Sequence, residues 1–384
     1  MFGSKSKKEI TLADITELLR ELRIPTSLVF TPINLEKERS KFFNSDTYNP
    51  QFEYRIVRNR NEKVLKELSS VQKVVDVDPR ISDFYIDLIE EKSKASELMH
   101  AVGNNDLVTN ISVERYGLPS SILFRNAARV LRGYTKNYSL VEYPANQRML
   151  SHDEIAKAFE DVFDELGLKE WSVNESMNIA RQGVKVGVKR KEVLVYEDIT
   201  RTPFKLRKTI VHEVGTHVLR SYNGERTGFE ALSKPNISSY LDIEEGLAIW
   251  NEMSMGLLTE RWLKNRAALV AAVFLGRFMS FRDLYNVILN TLPKKTAFDT
   301  VYRVKRGLSD TGYPGIYTRD IAYFRGLRRV MRRLEREPGL YNLLYAGKID
   351  FKQCEWVEEG LIRKPTILPP TKEEWNKMFD RIGI

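Results

Sequence analysis

Cysteine is almost absent from this chain, with Cys354 the single one in 384 residues. An intrachain disulfide is therefore excluded, and the composition fits a reducing, cytoplasmic compartment. No histidine lies near Cys354 in sequence, so it reads as a structural thiol and not as a nucleophile. Long apolar runs are missing as well. The basic start, Met1 to Lys8, is not followed by the apolar stretch of a secretory signal. Ala267 to Gly276 is apolar but too short to span a bilayer, and Arg266 and Arg277 bracket it, which predicts a buried core helix and no membrane partner. Internal repeats and low-complexity segments are lacking. With 42% hydrophobic residues the chain can still bury a sizeable core.

Basic charge is in excess, 61 Lys and Arg against 52 Asp and Glu. Arg325, Arg328, Arg329, Arg332, Arg333 and Arg336 recur at spacings of three and four, so one helix carries an arginine stripe opposite Leu327, Val330, Met331 and Leu334. A stripe of this kind is either a solvated face or an attractor for an acidic partner, such as an acidic peptide tail. No base-reading or stacking module accompanies it, so nucleic acid is not expected as a partner.

Histidine is scarce too, and two of the four fall in His212-Glu213-Val214-Gly215-Thr216-His217. Two neutral imidazoles can hold a zinc ion, and a carboxylate beside the first can take the proton from an attacking water. That is the logic of a zinc peptidase. The spacing is one residue longer than the common His-Glu-x-x-His. Residues four apart on an α-helix differ by about 40° around the axis, whereas residues five apart differ by about 140°. The two rings converge only if one turn widens to a π-helix, and Gly215 lies within that turn. His100 and His152 are expected to be surface or locally bonded residues away from the metal.

The flanks fit this reading. Gly187 to Tyr196 has the β-branched and aromatic content of a strand presenting a sheet edge to a substrate. Thr202-Pro203 predicts the start of the histidine helix, and Asn223-Gly224 a left-handed end to it. Further helices are expected near Leu12–Leu22, Asn61–Val75 and Ile81–Val102, with capping boxes at Ser151 to Glu154 and Thr371 to Glu374. A third protein ligand is expected from Tyr240 to Glu252, where Glu244 and Glu245 interrupt an apolar helical run. They point about 100° apart, so one of the two should face the metal, and position alone does not say which.

The two segments His212 to His217 and Glu244-Glu245-Gly246-Leu247-Ala248 together resemble the family named for its Gln-Glu-Gly-Leu-Ala motif, which includes tyrosine carboxypeptidases of α-tubulin. Val304 to Leu308, Tyr317 to Asp320, Tyr323 to Gly326 and Asn49 to Tyr54 extend the resemblance over most of the chain. It implies Zn2+ held by His212, His217 and Glu245, with Glu213 as general base. Glu244 stands where the family name has Gln. A carboxypeptidase also needs a cation for the terminal carboxylate and a donor for the oxyanion. Arg306 and Arg319 are the candidates for the first, with Lys305 and Arg303 behind them, and Tyr317 or Tyr323 for the second.

The expectation is therefore an α+β protein with a zincin-like metallopeptidase core, a small sheet and many helices. Residues 1–110 form a mainly helical N-terminal region, 111–347 the core and 348–384 an extension. The expected activity is zinc-dependent removal of a C-terminal, Tyr-like residue from a peptide or protein tail. The alternative is a metal-binding regulatory protein without peptide turnover.

Overall fold

The fold is described from a computed structural model, for residues 8–25, 29–177, 183–235 and 237–384. It is α+β, with many helices and two small sheets among the described residues. No helix there is long and apolar enough to cross a membrane. The chain divides into two compact units, each assembled from three separated segments.

The first unit comprises Met1–Tyr134, Asn236–Leu241 and Leu263–Arg325. It contains a parallel pair of strands, β1 (Lys8–Thr11) and β2 (Val71–Val75). One helix was expected over Asn61 to Val75, but the structure has a short helix, Glu62–Leu68, followed by β2. Ser69 and Ser70 end the helix by donating their hydroxyls to the carbonyls of Lys66 and Glu67. The valines beyond them suit a strand better than a helix. Phe42 packs edge-on against Phe281, Tyr285 and Phe298 at 4.8–5.2 Å between ring centroids. The apolar run expected as a core helix lies in Glu260–Gly276, with Ala267 to Val273 buried.

The second unit comprises Thr135–Pro235, Asp242–Trp262 and Gly326–Ile384. Its sheet has the order β3-β5-β4, with β3 (Ser172–Glu175) parallel and β4 (Val184–Gly187) antiparallel to β5 (Glu192–Val195). The single strand expected from Gly187 to Tyr196 is therefore the second half of a hairpin. The cationic run Lys189-Arg190-Lys191 forms its tip, with Lys191 at φ 51°, and the valines on either side form the strands. Being central, β5 has no free edge. The edge strand on that side is β4, which packs against the turn that carries the histidines.

A second close packing fixes the Glu244-Glu245-Gly246 segment. Gly246 on the helix Ser238–Ser254 meets Gly326 on Ile321–Arg336, and a Cβ on Gly246 would lie 2.5 Å from the Gly326 carbonyl oxygen. Both glycines therefore serve close approach of two backbones. The expected capping boxes are present at Ser151 and Thr371.

Candidate metal centre

The histidine helix begins as its sequence predicts. Thr202 caps it by accepting from the Lys205 N–H, and Pro203 occupies the first turn. The regular helix runs to His212, gives way to a π-helix over Glu213–Val218, and resumes as Leu219–Gly224. The extra residue between the histidines is absorbed there, and the two rings lie 5.0 Å apart, centroid to centroid. A left-handed end at Asn223-Gly224 is not formed. Gly224 is helical, and its missing Cβ makes room for the Leu232 carbonyl oxygen, which a Cβ would approach to 2.5 Å. Gly215 likewise has no positive φ, and its open side faces the Trp375 ring.

A π-turn disturbs the regular carbonyl pairing of a helix, so its polar groups need partners from elsewhere. Tyr345 donates its hydroxyl to the Gly215 carbonyl at 2.8 Å. Asn251 donates to Thr216 Oγ1 at 2.7 Å and to the Tyr345 oxygen at 2.8 Å, and accepts from Tyr341 at 3.0 Å. The network pins the turn at two points, the Gly215 carbonyl and the Thr216 hydroxyl.

Ligand-type atoms of His212, His217 and Glu245 all lie within 4.8 Å of one another. His212 Nε2 is 3.7 Å from Glu245 Oε2. Two ligands about 2.1 Å from a tetrahedral zinc are roughly 3.4 Å apart, so the donor set fits such an ion with small side-chain adjustments. Glu213, on the first residue of the π-turn, is partly exposed.

Glu244 points away from this cluster. Its Oε1 accepts from His217 Nδ1 and from Lys348 Nζ, each at 2.6 Å, and its Oε2 accepts from Arg220. Burial alone would raise its pKa, but Lys348, Arg220 and His217 hold it well below the ordinary carboxylate range. Arg220 is fully buried and also donates to the carbonyls of Leu344, Gly347 and Ile349. On the other side, Glu252 Oε1 is 2.7 Å from His212 Nδ1, and its Oε2 is 3.1 Å from Lys208 Nζ. Burial opposes charging of His212, yet Glu245 and Glu252 keep its pKa well above the ordinary value.

Sequence reasoning assigned no role to Glu252, Arg220, Lys348 or Tyr345. For Glu252 a signal existed, since seven residues after Glu245 is two helical turns on the same face. Arg220, Lys348 and Tyr345 come from distant segments and left no local signature.

The other candidates belong to the first unit. Arg306 donates to both oxygens of Asp320 at 3.1 and 3.2 Å, Arg303 donates to Oδ2 at 2.7 Å, and Arg319 lies 3.7 Å from Oδ1. One fully buried carboxylate thus gathers three arginines, which leaves an excess of positive charge. Lys305 is not beside them in function. It is buried and donates to the carbonyls of Gly276 and Met279 at 3.1 and 2.6 Å. Tyr317 is a core residue stacked on Phe30 at 4.6 Å, and burial pushes its phenol pKa up. Tyr323 carries the guanidinium of Arg266 over its ring at 4.5 Å.

His100 donates from Nδ1 to the Ser96 carbonyl and His152 sits beside Asp153, so neither joins the cluster. Cys354 is buried, which pushes its thiol up to about 12. The arginine stripe is partly used internally. Arg325 donates to the Tyr116 carbonyl, Arg328 to the Tyr138 hydroxyl and Arg329 to both oxygens of Asp350. Arg332, Arg333 and Arg336 line a groove of about 550 Å³ together with Glu337, Glu355 and Glu358, so its charge is mixed.

Residues 40–383 match the model of the family described as microtubule-associated tyrosine carboxypeptidase. The chain is 25% identical to the Mus musculus protein named putative tyrosine carboxypeptidase MATCAP2, over 91% of this chain and 59% of that one. It is 23% identical to the Homo sapiens protein named microtubule-associated tyrosine carboxypeptidase 1, over 88% of this chain and 62% of that one. The chain thus spans about 60% of the length of these curated relatives.

Proposed function

This chain belongs to the microtubule-associated tyrosine carboxypeptidase family, and from that premise we propose that it is a zinc-dependent carboxypeptidase with a zincin-like core. Its substrate would be a peptide or protein tail, acidic in character, from which a C-terminal residue of the tyrosine type is removed. The convergence of His212, His217 and Glu245 carries the reading. These three protein donors suit an ion that keeps a fourth position for water or substrate, as catalytic sites do; a fourth protein donor would have favoured a regulatory metal protein.

Zinc, when bound, supplies Lewis acidity for the attacking water and the scissile carbonyl. His212, His217 and Glu245 would hold it. Glu213 takes the proton from the attacking water and returns it to the leaving amine, for which its partial exposure beside His212 is suited. An extended substrate can add to the edge of β4, which has no second strand partner among the described residues. Within the first unit, the positive excess around Asp320 keeps Arg306 and Arg319 as candidate cations for a carboxylate, with Tyr323 a candidate hydroxyl donor. A cytoplasmic setting fits the single cysteine.

The test is a set of peptides differing in the last residue, incubated with zinc-loaded protein and read by mass. Loss of one C-terminal residue is expected, with cleavage at least about tenfold slower when the terminal carboxylate is amidated. Glu213→Gln should keep its zinc and lose most activity. Equal cleavage of free and amidated peptides at internal bonds would refute the carboxypeptidase direction, and full zinc occupancy in His212→Ala and His217→Ala would refute the metal centre.

A further inference from the structure

We propose that Glu244 and Glu252 are positioning residues for the two histidines, each fixing one ring's tautomer and orientation, and that Arg220, Lys348 and Lys208 lock these carboxylates in turn. The inference rests on the metal-centre reading above and extends it from three donors to the five residues that aim the histidines among them.

An ionised carboxylate only accepts hydrogen bonds. With Glu244 Oε1 2.6 Å from His217 Nδ1 and Glu252 Oε1 2.7 Å from His212 Nδ1, each Nδ1 must carry the hydrogen. In a neutral ring Nε2 is then the nitrogen left with the lone pair, and in His212 it lies 3.7 Å from Glu245 Oε2. Partners of this kind orient metal-binding histidines and raise their basicity.

The two clamps differ in how tightly they are themselves held. Glu244 is buried and answers three donors, His217, Lys348 and Arg220, and Arg220 is further anchored on three backbone carbonyls. Glu252 is buried and, besides His212, has Lys208 at 3.1 Å, whose ammonium also lies 4.2 Å from the centroid of the Trp262 ring.

This asymmetry decides what a glutamine does at each place. At 244, an amide oxygen turned to His217 puts the NH2 group against Arg220, two donors facing each other in a buried site. Turned the other way, the NH2 group meets His217 Nδ1 and drives the hydrogen onto Nε2, which removes that ring as a ligand. Glutamine is therefore not a mild replacement here, although the resemblance places Gln at the equivalent position. At 252, the amide oxygen can keep the His212 contact while Lys208 moves over the Trp262 face. Glu252→Gln should be the gentler change.

The experiment combines histidine tautomers with zinc affinity. Because the chain has only four histidines, long-range 1H–15N spectra resolve their rings individually. In wild-type protein at a pH where the rings are neutral, His212 and His217 are expected to carry hydrogen on Nδ1, with or without zinc. Chelator competition should give zinc binding weaker by about 10-fold in Glu252→Gln and about 100-fold in Glu244→Gln, with Nε2–H signal appearing for His217 in the latter. Circular dichroism controls for folding, and if Glu244→Gln does not fold, Glu252→Ala and Lys348→Met test the same claim with losses between these limits. An Nε2–H tautomer on either wild-type ring, or wild-type zinc affinity in Glu252→Ala, would overturn the proposal. Wild-type protein that takes up no zinc would instead refute the metal-centre reading, while the metal-free spectra still decide the positioning roles.

Discussion

Adding one methyl group at Gly246 or Gly326 tests whether backbone contact between two helices sets the position of the metal-binding glutamate. A Cβ at Gly246 would lie 2.5 Å from the Gly326 carbonyl oxygen and 2.8 Å from its Cα. A Cβ at Gly326 would lie 2.9 Å from the Asp242 carbonyl carbon and closer still to its oxygen. Comfortable contact is about 3.5 Å, so the helices must part by about 1 Å, and no flexible side chain is present to yield instead. Overpacking of this kind costs about 1–3 kcal/mol, with the upper end expected where backbone meets backbone. Alanine regains about 1 kcal/mol of helix propensity. The net loss is then about 2 kcal/mol, a fall in melting temperature of roughly 4–8 °C for a unit of this size. Glu245 precedes Gly246 directly, and metal bonds tolerate only about 0.2 Å of error, so zinc affinity should fall as well. Thermal melts and chelator competition on Gly246→Ala and Gly326→Ala measure both effects. Wild-type melting temperature and zinc affinity in either variant would refute the argument, because the clash is with main chain on both sides.

Tyr345→Phe keeps the ring but leaves the buried Gly215 carbonyl without its donor and removes a partner of Asn251, so chemical denaturation should report a loss of about 1–3 kcal/mol. Lys305→Met removes an amine that donates to the carbonyls of Gly276 and Met279, and a comparable loss is expected at alkaline pH, where the amine is neutral. Burial lowers the Lys305 pKa to about 7, below its unfolded value, so between about pH 7 and 10 this side chain binds more protons in the unfolded chain and its contribution to stability rises with pH. The gap between wild type and Lys305→Met in denaturant melts should therefore widen from pH 7 to pH 10, and a gap that narrows would contradict a buried amine.

Local order was legible where one segment contains its own reason. Thr202-Pro203, Ser151 to Glu154 and Thr371 to Glu374 carry their capping chemistry within a single turn, and the structure forms all three. Errors arose where neighbours had to choose. Asn61 to Val75 has a helical pattern throughout, yet two serines and the pairing of β2 with β1 divide it. Gly187 to Tyr196 has strand composition throughout, yet its cations turn the chain and make β5 a central strand. The composition of each unit from three separated segments is likewise a property of packing, with no counterpart in any single stretch of sequence.

The five-residue histidine spacing marks the boundary of what sequence can say. It required a widened turn, because regular helix would have sent the rings about 140° apart, and the π-helix at Glu213–Val218 meets that requirement. Nothing in the hexapeptide indicates what holds a wide turn in place. That comes from Tyr345, 130 residues later in the chain, and from Asn251 on the glutamate helix. The same helix carries Glu245 toward the rings, Glu244 and Glu252 to their far nitrogens and Asn251 to the turn itself. One helix thus supplies ligand, clamps and turn support together, so a displacement of that helix should disturb all three at once. Its tight seat at Gly246 against Gly326 is consequently as much a part of the metal centre as the histidines are.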